Sequence, residues 1–254
     1  MTSPGGAIGR PTLRTRLRLS FGDTRVEVPV EVPGEPVPPA DILPAARRIV
    51  DEIVAAARRD AAKGGRAVAC GPRCAACCRQ AVAISDVEAW ALADLVDRMA
   101  EPRRGEVRAG FDAAAARLEA AGLRGRFERA GDGGGEATGP LGREYFALRV
   151  DCPFLSDESC SIYADRPLAC REYVVTSPPA HCATLDTARI AALPVMSLSV
   201  GLQTITSDPA KPRRRWIALP LALAWAAANP PPSGMRRPGP AWIEALLRPT
   251  PGAS

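Results

Sequence analysis

The chain has 254 residues, of which 46% are hydrophobic and 24% are charged, which fits a folded protein with one substantial core and excludes a fibrous or wholly disordered chain. Its formal net charge of +5 counts every thiol as neutral, so ionised thiols would lower it. The charge therefore indicates neither a nucleic-acid partner nor a membrane surface. The N-terminus lacks the apolar segment of a secretory signal, and the apolar run at residues 216–228 is too short to span a bilayer. We expect a cytoplasmic protein.

The N-terminal part predicts a β-hairpin followed by a helix. Apolar and polar residues alternate over residues 13–21 and again over 26–32, and Gly22-Asp23 between them is a turn sequence. Pro29 predicts that the second strand is an edge strand. Residues 33–39 predict a stiff proline-rich connector, and apolar residues then follow helical spacing from Asp41 onwards.

The rest of the chain predicts helices joined by irregular loops. Ser85 and Glu88 have the spacing of a capping box at the start of a helix, and the apolar residues of 107–118 predict another helix. The glycine-rich residues 131–139 predict a mobile loop, and the alternation over 146–150 predicts a short strand. Residues 213–228 predict a helix interrupted at Pro220, and the proline-rich end predicts one helical turn around 242–247.

These patterns predict an α+β fold that is mainly α. The predicted division has three parts. Residues 1–40 form the hairpin and its connector, residues 41–200 form a cysteine-rich domain, and residues 201–254 form a C-terminal helix and tail.

Eight cysteines are the most informative feature of the sequence. They form two groups: Cys70, Cys74, Cys77 and Cys78, then Cys152, Cys160, Cys170 and Cys182. In a reducing compartment, clustered thiols are more often metal ligands than disulfides. Buried inert cysteines are one alternative, and disulfides become another if the protein is exported.

The first group can direct its thiols to one place. On a helix its four cysteines would fall within an arc of about 100°, and Gly71 and Pro72 would mark the start of that helix. The helix N-terminus would favour the thiolate form that binds metals. Adjacent Cys77 and Cys78 point about 100° apart on a helix, which suits a multi-iron cluster or a pair of metals better than one tetrahedral ion.

The second group spans a turn and a short helix. Residues 157–159 reverse the chain between Cys152 and Cys160, and Arg166-Pro167 begins a helix that presents Cys170. Such a region has few large apolar residues and would hold its shape poorly alone. Metal binding would stabilise it, since structural zinc contributes about 10–16 kcal/mol in small domains.

His181 is the only histidine, and this excludes several site types. A zinc hydrolase helix with two histidines cannot be assembled, nor can an iron site of two histidines and a carboxylate. A nucleophile with a histidine base would have to use His181. Neither common glycine-rich phosphate loop is present in the sequence. Beyond these exclusions, His181 is either a solvated loop residue or a neighbour of the site.

At the cysteines the sequence resembles the CxxCxxCC cysteine-cluster family, also called YkgJ-like and described as zinc- or iron-chelating. The first signature is the segment from Cys70 to Cys78. The second comprises Cys152-Pro-Phe-Leu, Cys160-Ser-Ile-Tyr and Arg166-Pro-Leu-Ala-Cys170-Arg171, and the helix start at Ser85 also matches. The resemblance covers roughly residues 65–185. One extra residue between Cys70 and Cys74 departs from the family pattern.

The resemblance implies a metal-binding domain that uses all eight cysteines, with zinc or an iron–sulfur cluster as the cofactor. It also favours roles for Arg166, Arg171 and Tyr163 around the metal, where the arginines would donate to sulfurs or to backbone carbonyls. A salt bridge or a solvated side chain is the alternative for each arginine.

Two other functions stay open at the level of the sequence. A flagellin lysine N-methylase carries a similar cluster, so one alternative is an enzyme that modifies another protein. That hypothesis predicts a cleft beside the cysteines and an open coordination position. The other is an interaction module, whose basic run at 211–216 and proline-rich tail would recruit an unidentified protein partner.

Overall fold

The computed structural model describes residues 11–71, 73–133, 138–207 and 213–248. Its first element is the predicted hairpin. Strand β1 (Thr12–Phe21) pairs antiparallel with β2 (Thr24–Pro33), and Gly22 makes the turn with a φ of 51°. The alternate valines of β2 are buried, whereas β1 is mostly exposed, so only one strand contributes strongly to the core. Pro29 lies in this two-stranded sheet opposite Arg16, as the edge prediction requires.

The connector continues as a strand and then a helix. Strand β3 (Pro36–Val37) pairs antiparallel with β8 (Arg237–Pro238), although the two strands are about 200 residues apart in the sequence. After a 3-10 helix (Pro39–Ile42) comes α1 (Leu43–Lys63), the longest helix of the described residues. Its apolar face packs against β2.

The remaining elements are short. In chain order they are β4 (Ala83–Ile84), α2 (Asp86–Asp97), α3 (Arg103–Ala120), α4 (Arg124–Gly131), α5 (Thr138–Ala147), β5 (Leu155–Ser156), β6 (Ser159–Cys160), α6 (Leu168–Glu172), α7 (Pro179–Ala183), α8 (Leu198–Leu202), β7 (Ile217–Ala218), α9 (Ala222–Ala228) and α10 (Gly239–Leu247). Helices make up about 49% of the structure and strands 15%, which confirms a mainly α, α+β fold.

The helix start predicted at Ser85 is correct, and the helix predicted from the apolar residues of 107–118 is present as part of α3. Ser85 accepts from the Glu88 amide, and the Glu88 carboxylate accepts from the Ser85 amide, which completes the capping box of α2. Helix α3 buries Val107, Phe111 and Leu118 on its inner face.

The predicted strand at residues 146–150 is wrong. Phe146 lies in α5, where it is buried together with Leu141 and Tyr145 at helical spacing. Arg149 then adopts a positive φ of 51°, which turns the chain towards Cys152. Three alternating apolar residues were too few to separate a strand from the end of a helix.

The helix predicted over 213–228 is present only as α9. Ile217 and Ala218 form β7, which pairs with β4, and Pro220 lies in a 3-10 helix (Leu219–Leu221) before α9 begins. A long-range strand pairing therefore overrides the local helical pattern. Arg214 and Arg215 of the basic run donate to Gln203 and Asp132, so this part of the predicted interaction segment contacts its own chain. Lys211 and Pro212 lie outside the described residues.

The C-terminal helix is longer than the predicted single turn. Trp242 of α10 is fully buried and donates from Nε1 to the Val37 carbonyl at 2.9 Å. Of the glycine-rich segment predicted to be a mobile loop, residues 134–137 lie outside the described residues, whereas Gly131 ends α4 and Gly139 belongs to α5.

The buried apolar residues form two hydrophobic clusters. The first joins the hairpin, α1, α8 and α10, and the second joins α2 to α5 with β7. Within the described residues, no helix combines the length and apolar character needed to cross a membrane.

Candidate metal centre

The first cysteine group lies on an irregular segment rather than on the predicted helix. Only a 3-10 helix (Ala76–Arg79) forms there, and it carries Cys77 and Cys78. Arg73 has a φ of 63°, a left-handed conformation that a helix cannot contain, so Cys70 and Cys74 stay outside it. Pro72, predicted to lie in the first turn, falls outside the described residues.

The second group occupies a loop and three separate elements. Cys152 follows α5, and Cys160 ends β6 after the predicted turn, in which β5 and β6 form a small hairpin. Cys170 lies in the short helix α6 and Cys182 in α7.

Backbone hydrogen bonds bring the two groups together. The Cys152 amide donates to the Cys78 carbonyl at 2.9 Å. On the other side of the site, the Val175 amide donates to Cys70 Sγ at 3.3 Å. Gln80 donates from Nε2 to the Cys182 carbonyl at 3.4 Å, and α7 also contacts the 3-10 helix. The two segments thus meet in one region despite their separation in sequence.

The thiols influence one another electrostatically. Desolvation raises the pKa of Cys170 well above its usual value, and the thiols of Cys152 and Cys77 add to that shift. Desolvation likewise raises the pKa of Cys152 to about 12, with contributions from Cys160 and Cys77. The hydrogen bond with Cys78 and desolvation both raise the pKa of Cys77. Neighbouring thiolates repel, so without a cation these groups stay protonated at neutral pH.

The contributions that the thiols make to one another's pKa values divide them into two neighbourhoods. Cys152, Cys160 and Cys170 form one neighbourhood. Cys70, Cys74 and Cys182 form the other. Cys77 affects the thiols of both and therefore lies between them. In the second neighbourhood, desolvation raises the pKa of Cys182, whereas its hydrogen bond with Tyr173 lowers it.

All eight cysteines are free, so no disulfide joins them. Among the described residues, no three Cys, His, Asp or Glu side chains come close enough together to hold a metal ion as they stand. The chain therefore gathers soft sulfur donors around one region without closing them into a coordination shell. Sulfur donors of this kind suit zinc or iron–sulfur clusters and not magnesium or calcium.

Arg166 supplies an independent test of whether the site fits an anionic metal–thiolate centre. Its Nε is buried and has no hydrogen-bond partner, although buried N–H groups are nearly always satisfied. Desolvation raises the pKa of Cys160, and Arg166 opposes that shift, so the guanidinium lies near this thiol. A half-buried arginine with an unused, buried N–H beside protonated thiols fits a centre whose sulfurs become negative when a metal binds.

The other two predicted neighbours of the metal have different surroundings. Tyr163 is 63% exposed, and the Arg166 guanidinium lies 4.1 Å from its ring centroid, so the ring covers the arginine. Arg171 donates to both carboxylate oxygens of Asp51 in α1 at 2.8 Å and to the Arg166 carbonyl at 3.1 Å. Arg171 thus forms the salt bridge that the sequence left open as its alternative, and it also donates to a backbone carbonyl, one of the two partner types predicted for it.

Several residues that support the site could not be identified from the sequence. Arg47 of α1 pairs with Asp165 at 2.6 Å. Glu88, recognised only as a helix cap, also accepts from the Leu168 amide at 2.7 Å and so holds the start of α6. Each partner lies far away along the chain, so local spacing gave no signal.

Two cavities in the described part of the chain lie away from the cysteines. One of about 240 Å³ lies between α4 and α9 and is lined by Phe127, Trp216 and Trp225 among others. A neighbouring cavity of about 460 Å³ is lined by residues of α4 and by Arg213. Neither contains a cysteine, so neither provides the cleft that the enzyme hypothesis requires.

Comparison with known proteins identifies the cysteine region alone. No curated protein and no solved structure matches the chain. Residues 69–188 match the model of the CxxCxxCC family, described as a "Putative zinc- or iron-chelating domain". This segment includes all eight cysteines and confirms the resemblance found in the sequence. Residues 69–188, slightly less than half of the chain, are therefore similar to the CxxCxxCC family.

Proposed function

We propose that this protein binds zinc or an iron–sulfur cluster through the thiolates of its eight cysteines, in a reducing compartment such as the cytoplasm. The convergence of the two cysteine groups carries the proposal, because eight free thiols share one region in which Cys152 is hydrogen-bonded to the backbone of Cys78. Bound zinc would cross-link these segments, whereas an iron–sulfur cluster would also supply electron transfer.

We further propose two ligand sets. Cys77 with Cys152, Cys160 and Cys170 would form one, because the β5–β6 hairpin keeps Cys152 beside Cys160 and Glu88 anchors the helix that carries Cys170. Cys70, Cys74 and Cys182 would form the other with Cys78, because Val175 is hydrogen-bonded to Cys70 and Gln80 to Cys182. Arg166 would donate its unused N–H to a sulfur of the first set.

Elemental analysis of the full-length chain, purified without a tag and without oxygen, tests this proposal. We expect zinc or iron in a reproducible ratio to protein. Brown colour with visible charge-transfer absorption would exclude zinc as the main metal. Cys170→Ser and Cys182→Ser should each remove part of the metal, and the double variant should remove more than either. A wild-type chain without zinc or iron, or with unchanged metal in the double variant, would contradict the proposal.

A further inference from the structure

Arg79 connects the two cysteine groups through its side chain. It is the last residue of the 3-10 helix that carries Cys77 and Cys78. Its Nε lies 2.7 Å from Asp151 Oδ1, and its two terminal nitrogens lie 2.7 and 3.1 Å from the carboxylate oxygens of Glu158. Asp151 directly precedes Cys152, and Glu158 lies two residues before Cys160. One guanidinium thus contacts both the residue before Cys152 and the tip of the turn that leads to Cys160.

The tip of the turn between Cys152 and Cys160 has an unfavourable backbone conformation. Asp157 and Glu158 have φ values of 48° and 54°, a left-handed conformation that is unfavourable for residues other than glycine. The two-residue strands β5 and β6 close the turn, and below them Ser161 donates from its amide and its hydroxyl to the Phe154 carbonyl at 2.9 and 2.8 Å. The planar guanidinium of arginine can bind two carboxylates at once in a fixed geometry, which the ammonium of lysine cannot reproduce.

The same contacts would add little to global stability. Asp151 and Glu158 are more than half exposed, and exposed ion pairs are screened by water and salt. Their effect is therefore local, and it concerns where Cys152 and Cys160 stand relative to Cys77.

We propose that Arg79 is a positioning residue, which holds the turn between Cys152 and Cys160 against the 3-10 helix of Cys77 and Cys78 and so slows loss of the bound metal. The part concerning metal rests on the proposed function. The part concerning position does not, because it follows from contacts within the chain.

The first test is the rate at which a chromogenic chelator removes metal from the loaded full-length chain. Loss of residues that support metal ligands typically weakens binding about 10- to 100-fold, and we expect Arg79→Ala to release metal faster by a factor in this range. Arg126→Ala is the matched control, because Arg126 binds both oxygens of Glu144 on helices α4 and α5, away from the cysteines. Arg79→Lys should release metal more slowly than Arg79→Ala but faster than the wild type. Salt should accelerate release from the wild type but not from Arg79→Ala.

The second test needs no metal. Alkylation of the metal-free chain, followed by mass spectrometry, gives the reaction rate of each cysteine. Arg79→Ala should speed alkylation of Cys152 and Cys160 relative to Cys70. Loss of the arginine's positive charge alone would slow alkylation, because a cation nearby favours the reactive thiolate form.

The outcomes separate the two proposals. Equal alkylation rates in Arg79→Ala and Arg126→Ala would overturn the positioning role, whether or not metal binds. A release rate unchanged by Arg79→Ala would overturn its effect on metal loss. A wild-type chain that holds no metal, yet shows faster alkylation in Arg79→Ala, would reject the proposed function and leave the positioning role standing.

Discussion

Glu88→Ala should destabilise the protein far more than loss of an exposed glutamate. The carboxylate is buried and accepts hydrogen bonds from the Ser85 amide at 2.9 Å, the Ser85 hydroxyl at 3.0 Å and the Leu168 amide at 2.7 Å. Alanine would leave two buried backbone N–H groups without an acceptor. Each such group costs about 1–3 kcal/mol, so we expect a loss of about 3 kcal/mol in the free energy of unfolding.

Thermal and denaturant unfolding measure this loss. For a chain of this size about 3 kcal/mol corresponds to a fall in Tm of about 6–12 °C. Glu88→Gln keeps one acceptor oxygen and the side-chain volume, so it should lose about half as much. Glu106→Ala removes an exposed ion pair with Arg103 and should change stability by less than about 0.5 kcal/mol. If Glu88→Ala costs no more than Glu106→Ala, the carboxylate does not connect α2 to α6 as described.

Three further predictions test other parts of the structure. Gly201→Ala should destabilise the protein by about 1–3 kcal/mol in urea unfolding, because the new Cβ would stand 2.2 Å from the Leu246 carbonyl oxygen. The control is Gly142→Ala in α5, whose new Cβ meets nothing within 4 Å and which should stabilise the protein by about 0.5–1 kcal/mol. Burial raises the pKa of Asp86 from 3.8, so its charged form costs stability as pH rises through the folded-state value. Asp86→Asn should therefore gain stability relative to the wild type as pH increases above about 3.8, as followed by unfolding across acidic pH, and a constant difference would contradict this. Removal of metal by a chelator should lower the Tm of the wild type but change that of Cys77→Ser much less, because that variant would already lack a proposed ligand.

The sequence predicted elements whose determinants are local. The alternating residues of each hairpin strand lie within about ten positions of each other, and the capping box needs only Ser85 and Glu88. Helix α1 was predicted because its apolar face repeats over five turns or so. In each case the residues that decide the structure are neighbours in the chain, so their spacing is enough.

The errors occurred where distant contacts or single backbone angles decide. Strand β7 forms because Ile217 pairs with Ile84, a partner more than a hundred residues away. The helix expected at the first cysteine group is prevented by the positive φ of Arg73, for which no glycine gave warning. The cysteines themselves were recognisable as a site, but the hydrogen bond between the backbones of Cys78 and Cys152 was not.

The position of the cysteines between the two hydrophobic clusters explains why metal would matter to this fold. Cys70 packs against the cluster of the hairpin and α1, whereas Cys152 and Cys160 pack against the cluster of α2 to α5. Each cluster buries its own apolar side chains and so has its own source of stability. The segments between them are held by hydrogen bonds and by ion pairs such as those of Arg79, which water screens. Thiolate ligands drawn from both sides of this junction would join the clusters through metal–sulfur bonds that water does not weaken. That connection would depend most on Cys77, which lies between the two thiol neighbourhoods.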